Sequence, residues 1–355
     1  MWLLLVLACW DDAPRAADHC TLAKTVKVRT EDGATVALHH HPASGPPVLM
    51  VHGISSNHHF FDLDAEHSMA DWLADRGHDV WLLDLRGHGD AATHKDGRPQ
   101  LSGWRVDDYG RYDVHAAVDH VRACTGYDTV GYVGHSMGGM VGAIYVATHG
   151  DDALSSLTFL GSPGTFTKNV PLTKLAGSAF AAGGAATVFF DTAILAATAA
   201  DFSEGPLRVR LQERLYNPEN FEPATIARML RTIVSPLSRG EMAHFARMIR
   251  AERFQSWDGT IGYLDALAEV DVPAFLVVGT GDRVVAPAWV EAYGPAFGGP
   301  VEVFRAGTES GLVADYGHLD LALGERAGTE IFPRVEAWLD RHPPREGKAR
   351  LAQGR

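Results

Sequence analysis

Positive charge is what this chain is short of. Its 355 residues carry 31 Lys and Arg against 44 Asp and Glu, a formal charge of -13. No clustered basic stripe is present, which excludes a nucleic-acid partner. Long apolar runs are missing too: no tract reaches the ~18 consecutive apolar residues of a membrane-spanning helix. Cysteine is scarce, at three residues. What is abundant is hydrophobic content, 46%, enough for one large core or a core plus an accessory element, with disorder confined to the ends.

The segment 1–20 opens with an apolar stretch, Trp2 to Ala8, at the short limit for a signal-peptide core and with no basic residue ahead of it. It runs into Val6-Leu7-Ala8-Cys9, which resembles a bacterial lipobox, where the cysteine is lipidated and becomes the new N-terminus. The expectation is an exported lipoprotein anchored to a membrane through Cys9; a frayed or buried N-terminal segment of a cytoplasmic protein is the alternative. With Cys9 lipidated, Cys20 and Cys124 are left to form one disulfide or to stay separate thiols.

Five β-branched apolar runs end in polar or glycine-containing turns, at 47–53, 78–89, 129–136, 156–164 and 273–282. Their hydrophobicity is continuous rather than alternating, as for strands covered on both faces of a parallel sheet. Helical patterns lie between them, at 107–124 and 140–150, so the expected fold is α/β, a mostly parallel open sheet with helices on both faces. Ahead of this block, 24–42 reads as an antiparallel hairpin turning at Asp32-Gly33. The triplet His39-His40-His41 ends its second strand with no carboxylate or cysteine at ligand spacing, and reads as a solvated strand end that binds no metal. Residues 165–270 break the alternation. Here 175–200 is rich in Ala and Gly, and 222–252 reads as two amphipathic helices parted by Ser235-Pro236. Entering where a sheet's ligand end lies, this insertion is expected to cap a binding site. The core is then 21–164 and 271–341, and the polar tail 342–355 is expected to be disordered.

Gly134-His135-Ser136-Met137-Gly138 matches G-x-S-x-G with a strand before it and a helix after it, the setting of a nucleophile elbow. Both glycines, Gly134 and Gly138, are steric demands of that turn. A serine hydroxyl needs a base, and the base an orienting carboxylate. Asp282, just past the strand in 273–282, is the expected acid. His318, in a loop after the strand 301–304, is the expected base, since His342 belongs to the tail. The oxyanion donors expected are the amides of Ile54 and Met137; Gly53 lets the chain turn after 47–53, and His52 braces that loop.

The stretches "VHGISSN", "LLDLRGHG", Trp104 to Asp113, "TGYDTVGYVGHSMGG", "VGTGDRVV" and "YGHLDLALG" resemble the α/β-hydrolase superfamily. Trp104 to Gly139 and His318-Leu319-Asp320 are similar to the acid-lipase group of lysosomal and gastric lipases and their bacterial relatives. The resemblance implies the same roles for Ser136, Asp282, His318, Ile54 and Met137, no cofactor, and hydrolysis of carboxylic esters through an acyl-enzyme, with lipophilic acyl esters as substrates. Met137 stands where acid lipases usually have Gln. Serine at the elbow argues against the Cys of polyhydroxyalkanoate synthases and the Asp of dehalogenases and epoxide hydrolases. An acyltransferase with the same triad, and a non-catalytic binding protein on the fold, are the alternatives.

Overall fold

The computed structural model describes residues 24–93, 103–167, 189–190 and 214–348. Eight strands form one sheet: β1 (Thr25–Arg29), β2 (Thr35–His41), β3 (Pro47–Val51), β4 (Asp79–Asp84), β5 (Val130–His135), β6 (Leu154–Leu160), β9 (Ala274–Gly279) and β10 (Val301–Ala306), in spatial order β1-β2-β4-β3-β5-β6-β9-β10. A separate pair joins β7 (Phe189–Phe190) to β8 (Leu237–Ser238). All ladders from β4 to β10 in the large sheet are parallel, while β1 and β2 form the antiparallel hairpin read at Asp32-Gly33. Gly33 sits there with φ +89, in the left-handed region.

Continuous apolar runs are explained by the two cores. Val48 and Met50 of β3 face one core with Val80 and Leu82 of β4, whereas Leu49 and Val51 face the other with Trp81 and Leu83. The first is covered by α1 (Met69–Ala74) through Leu73; the second by α2 (His115–Thr125) through Val118 and Val121, and by α3 (Met137–His149) through Met140 and Ile144. Because β4 and β5 flank β3 on opposite sides, the connections leaving β3 and β5 diverge between these strands. Their C-terminal ends there form the crevice where such sheets bind ligands.

The helix read at 107–124 departs from regular α geometry. Tyr109–Val114 is a π turn between an α turn at Val106–Asp108 and α2. Two tertiary demands meet in it. Gly110 packs so close to α3 that a Cβ would fall 2.6 Å from Ile144 Cβ, and the buried Asp113 carboxylate pairs with Arg86, Nε to Oδ1 at 2.7 Å. Neither partner is visible in a 3.6-residue period.

Within the insertion, α4 (Pro223–Thr232) and α5 (Arg239–Ala251) flank Ser235-Pro236. Ser238 starts α5 with a capping box: its Oγ accepts the Glu241 amide at 3.1 Å, and its own amide donates to Glu241 Oε2 at 3.3 Å. The Ala- and Gly-rich segment 175–200 lies outside the described residues apart from Phe189 and Phe190, as do Cys9, Cys20 and the whole of 1–20. Cys124 is disulfide-bonded. No helix among the described residues is long and apolar enough to cross a membrane.

Two expectations are corrected. The tail is anchored past 342: α6 (Phe332–Arg341) is followed by a bridge between Glu346 and Tyr127, and the Arg345 amide donates to Thr129 Oγ1 at 2.7 Å. The triplet His39 to His41 is not a solvated strand end. His39 is buried against Asp84 of β4, and His40 Nε2 lies 2.7 Å from Asp79 Oδ1 with its ring stacked on Trp81. The carboxylates missing from the sequence neighbourhood arrive across the β2–β4 ladder.

Candidate active site

Ser136 stands between β5 and α3 with φ 52 and ψ -118, one of three described non-glycine residues at positive φ. Side-chain residues avoid this region at a cost of about 1–3 kcal/mol, so surrounding packing must impose it. It does. A Cβ on Gly134 would lie 2.4 Å from the Gly138 carbonyl carbon, and one on Gly138 would lie 2.0 Å from the Val51 oxygen. The turn is thus wedged between β3 and its own helix, and the Ser136 amide is tied to Leu160 O at 2.9 Å.

Asp282 and His318 are brought into contact. His318 Nδ1 donates to Asp282 Oδ2 at 2.7 Å, and both side chains are buried. Asp282 Oδ1 accepts the amides of Val284 and Val285, each at 2.8 Å. The carboxylate is therefore held by three donors, and His318 is left with Nε2 as its available lone pair. Among the described residues Ser136 Oγ makes no hydrogen bond to His318. What joins the serine loop to His318 is His135: its Nε2 donates to the His318 carbonyl at 3.0 Å, its ring lies 4.6 Å from the His318 ring, and it also stacks on Phe60 at 4.0 Å. Burial holds the His135 imidazole well below its usual pKa, so it is neutral. Sequence reading passed over His135, because a G-x-S-x-G pattern leaves that position free.

Ile54 and Met137 line the cavity into which Ser136 opens. Met137 is the first residue of α3, where helix geometry leaves amides without intrahelical acceptors. Gly53 is required by proximity, since a Cβ there would stand 3.0 Å from His135 Nδ1 and 3.2 Å from Ser136 Cβ. His52 is fully buried: Nδ1 donates to Gly53 O at 2.8 Å, and Nε2 accepts the Leu85 amide at 3.3 Å. Burial, with the nearby His88 adding to it, pulls its pKa down to about 3. It is a neutral strut between the β3 and β4 loops.

Two further struts come from the insertion. Ser235 donates its amide to Ser55 O at 3.0 Å, and Ser55 Oγ donates to Ser235 O at 2.8 Å. Ser235 Oγ accepts from Asn57 Nδ2 and from the Gly89 amide, each at 3.2 Å. Ser55, next to Ile54, is itself at φ 54. On the other side, Asp320 accepts the Gly317 amide at 2.8 Å, the Asn217 amide at 3.0 Å and Asn220 Nδ2 at 2.8 Å, tying the His318 loop to the middle of the insertion. No local pattern announces contacts 100 or more residues apart. The cavity itself, about 120 Å³, is apolar and walled by Met140 and Trp289 from the core and by Phe166 and, on α5, Phe245 and Ile249 from the insertion.

A family model described as alpha/beta hydrolase fold matches residues 46–321. Among curated proteins, similarity runs to lipase lipl-1 of Caenorhabditis elegans (36% identical over 126 residues, 31% of this chain and 31% of that protein). It also runs to lipase 3 of Drosophila melanogaster (32% over 164, 42% and 41%) and to human lysosomal acid lipase/cholesteryl ester hydrolase (31% over 130, 33% and 33%). The matched segment spans well under half of each relative. Among solved structures, a thermophilic esterase from Thermogutta terrifontis superposes with a TM-score of 0.61 at 19% identity, covering 90% of this chain and all of that one. An esterase from Exiguobacterium antarcticum superposes with 0.61 at 20% identity, covering 89% and 99%. These two likenesses concern the fold. With the family model matched over most of its length, the chain belongs to the alpha/beta hydrolase fold family.

Proposed function

We propose that this protein is a serine carboxylic ester hydrolase with Ser136, His318 and Asp282 as its triad. The observation that carries the reading is the Asp282–His318 pair, converging with a strained, cavity-facing serine at the diverging strand ends. Ser136 Oγ attacks the acyl carbon while His318 Nε2 takes its proton, and Asp282 holds the resulting imidazolium. The oxyanion accepts from the Ile54 and Met137 amides. The alcohol leaves with the proton from His318; water, activated by the same Nε2, then releases the acid from Ser136. The missing Ser136–His318 hydrogen bond suits a substrate-free site, where catalytic contacts tighten only in the complex.

The apolar cavity is where the acyl chain belongs. A void of about 150 Å³ holds a benzene ring, so 120 Å³ receives a chain of roughly four carbons, which makes lipophilic short-chain esters the substrates that fit best. Export and anchoring through Cys9 form part of the same proposal: the disulfide at Cys124 suits an oxidising compartment. Labelling with palmitate in a bacterial host tests the anchor, and label retained in Cys9→Ala refutes it. The chemistry is tested with p-nitrophenyl acyl esters. Wild type cleaves them and a folded Ser136→Ala variant does not; equal turnover by both sinks the mechanism.

A further inference from the structure

On the β2–β4 side of the sheet, three side chains from distant parts of the chain aim at one point. His39 Nε2 lies 3.0 Å from Asp84 Oδ2, and His58 Nδ1 lies 2.9 Å from the same oxygen. The two imidazoles are stacked, centroids 3.5 Å apart and planes at 18°. Asp84 ends β4 and is fully buried, His39 is on β2, and His58 opens the turn that follows the β3 loop.

We propose that His39, His58 and Asp84 form a binding site for a divalent transition-metal ion of the zinc class. The donor set selects the class, because two imidazole nitrogens and a carboxylate suit zinc and its neighbours, whereas magnesium and calcium take oxygen ligands. The spacing fits as well. Bonds of about 2.0–2.1 Å to a tetrahedral ion place ligand atoms about 3.3 Å apart, a few tenths of an ångström beyond the 3.0 and 2.9 Å found here.

The ligands are also held from outside. His39 Nδ1 is 3.2 Å from Thr25 Oγ1, Asp84 Oδ1 accepts the His58 amide at 2.7 Å, and the Asp90 amide reaches Oδ2 at 2.8 Å. Outer hydrogen bonds of this kind fix the tautomer and the carboxylate orientation of metal ligands. On loading, each imidazole turns the lone pair of the nitrogen facing Asp84 to the ion and carries its one proton on the other ring nitrogen, Nδ1 of His39, against Thr25, and Nε2 of His58, so that metal–nitrogen bonds replace the contacts to Asp84. The ring planes must open so that both lone pairs face the ion. An open polar pocket of about 530 Å³ beside His39 and His58 gives them room and gives the ion an entry. Asp90 Oδ2, exposed and 3.8 Å from His39 Nε2, stands where a fourth ligand is needed.

The nearby group His41, Asp62 and Asp71 does not converge in this way: Asp71 approaches His41 Nδ1 at 2.7 Å and Asp62 the opposite nitrogen at 3.5 Å. His41 is therefore the control. The proposal is independent of the esterase reading, since its readout is metal itself.

Full-length protein, stripped with EDTA and titrated with Zn²⁺, is assayed for bound metal by mass spectrometry and for thermal midpoint. Wild type and His41→Gln are expected to bind one ion per chain with a raised midpoint, and His39→Gln and His58→Gln to bind at least tenfold more weakly. Should both ligand variants misfold, X-ray absorption of zinc-loaded wild type decides, with two imidazole shells at about 2.0–2.1 Å expected. No stoichiometric ion, full affinity in both folded ligand variants, loss on His41→Gln alone, or an all-oxygen shell would overturn the proposal.

Discussion

Replacing Asp282 by Asn tests the acid–base assignment at the level of single protons. In the native site Oδ1 accepts two backbone amides, from Val284 and Val285, and Oδ2 faces His318 Nδ1. An Asn side chain at this position must choose which end meets which partner. Turning its NH₂ toward two N–H donors leaves buried donors unsatisfied, at about 1–3 kcal/mol each, so its oxygen stays with the two amides. The NH₂ then faces His318 Nδ1 and forces the imidazole into the tautomer protonated on Nε2. That tautomer has no lone pair for the Ser136 proton. Triads deprived of their base in this manner lose about 10⁴ in kcat, or about 5.4 kcal/mol at 1.36 kcal/mol per decade. The assay is steady-state hydrolysis of p-nitrophenyl butyrate, with thermal unfolding measured in parallel to confirm that the variant folds. A folded Asp282→Asn protein within tenfold of wild-type kcat would refute the assignment of Asp282, and with it the reading of His318 as its partner in catalysis.

Other predictions follow from the struts and the cavity. His52 is neutral when folded, with its pKa near 3 against an ordinary 6.5, so its contribution is fully present above about pH 6.5 and is lost as pH falls. Between pH 7 and 5 that amounts to about 2 kcal/mol. Urea unfolding of His52→Gln should lose that much less than wild type over the interval, and identical pH dependence would contradict the buried neutral imidazole. Ser235→Ala strands the Asn57 and Gly89 donors beside the loop of Ile54, the proposed oxyanion donor; kcat is expected to fall about tenfold with KM little changed, whereas a stability loss with kcat intact would make Ser235 purely structural. Trp289→Ala opens the acyl cavity, and the preferred p-nitrophenyl ester should lengthen by two carbons or more. An unchanged chain-length profile would place the acyl group elsewhere.

Much of this arrangement is local, and local features can be read from order alone. A strand buried on both faces needs a largely apolar run, and 47–51, 80–83, 130–134 and 274–279 have an unbroken one, while 154–160 admits Ser155, Ser156 and Thr158 among its apolar residues. The elbow needs glycine at 134 and 138 because backbone lies within 2.0 to 2.4 Å of where their Cβ atoms would be, and that demand leaves a sequence mark. The same holds for the order of Ser136, Asp282 and His318, the first two just past the ends of β5 and β9 and the third in the loop after β10. The π turn at Tyr109–Val114 leaves no such mark, since its causes, Ile144 and Arg86, are supplied by other elements. Residues 343–347 also look like a free polar tail until the 126–129 loop offers them partners.

The sequence by itself determined which segments become strands and helices and which residue types reach the ligand edge, because burial period and turn sterics act over a few neighbours. Tertiary structure alone decided what those residues meet: His135 under the His318 loop, Ser235 on Ser55, and Asp84 between His39 and His58. A hydrogen bond or a ligand set depends on distance in space, and chain order does not encode distance across a sheet.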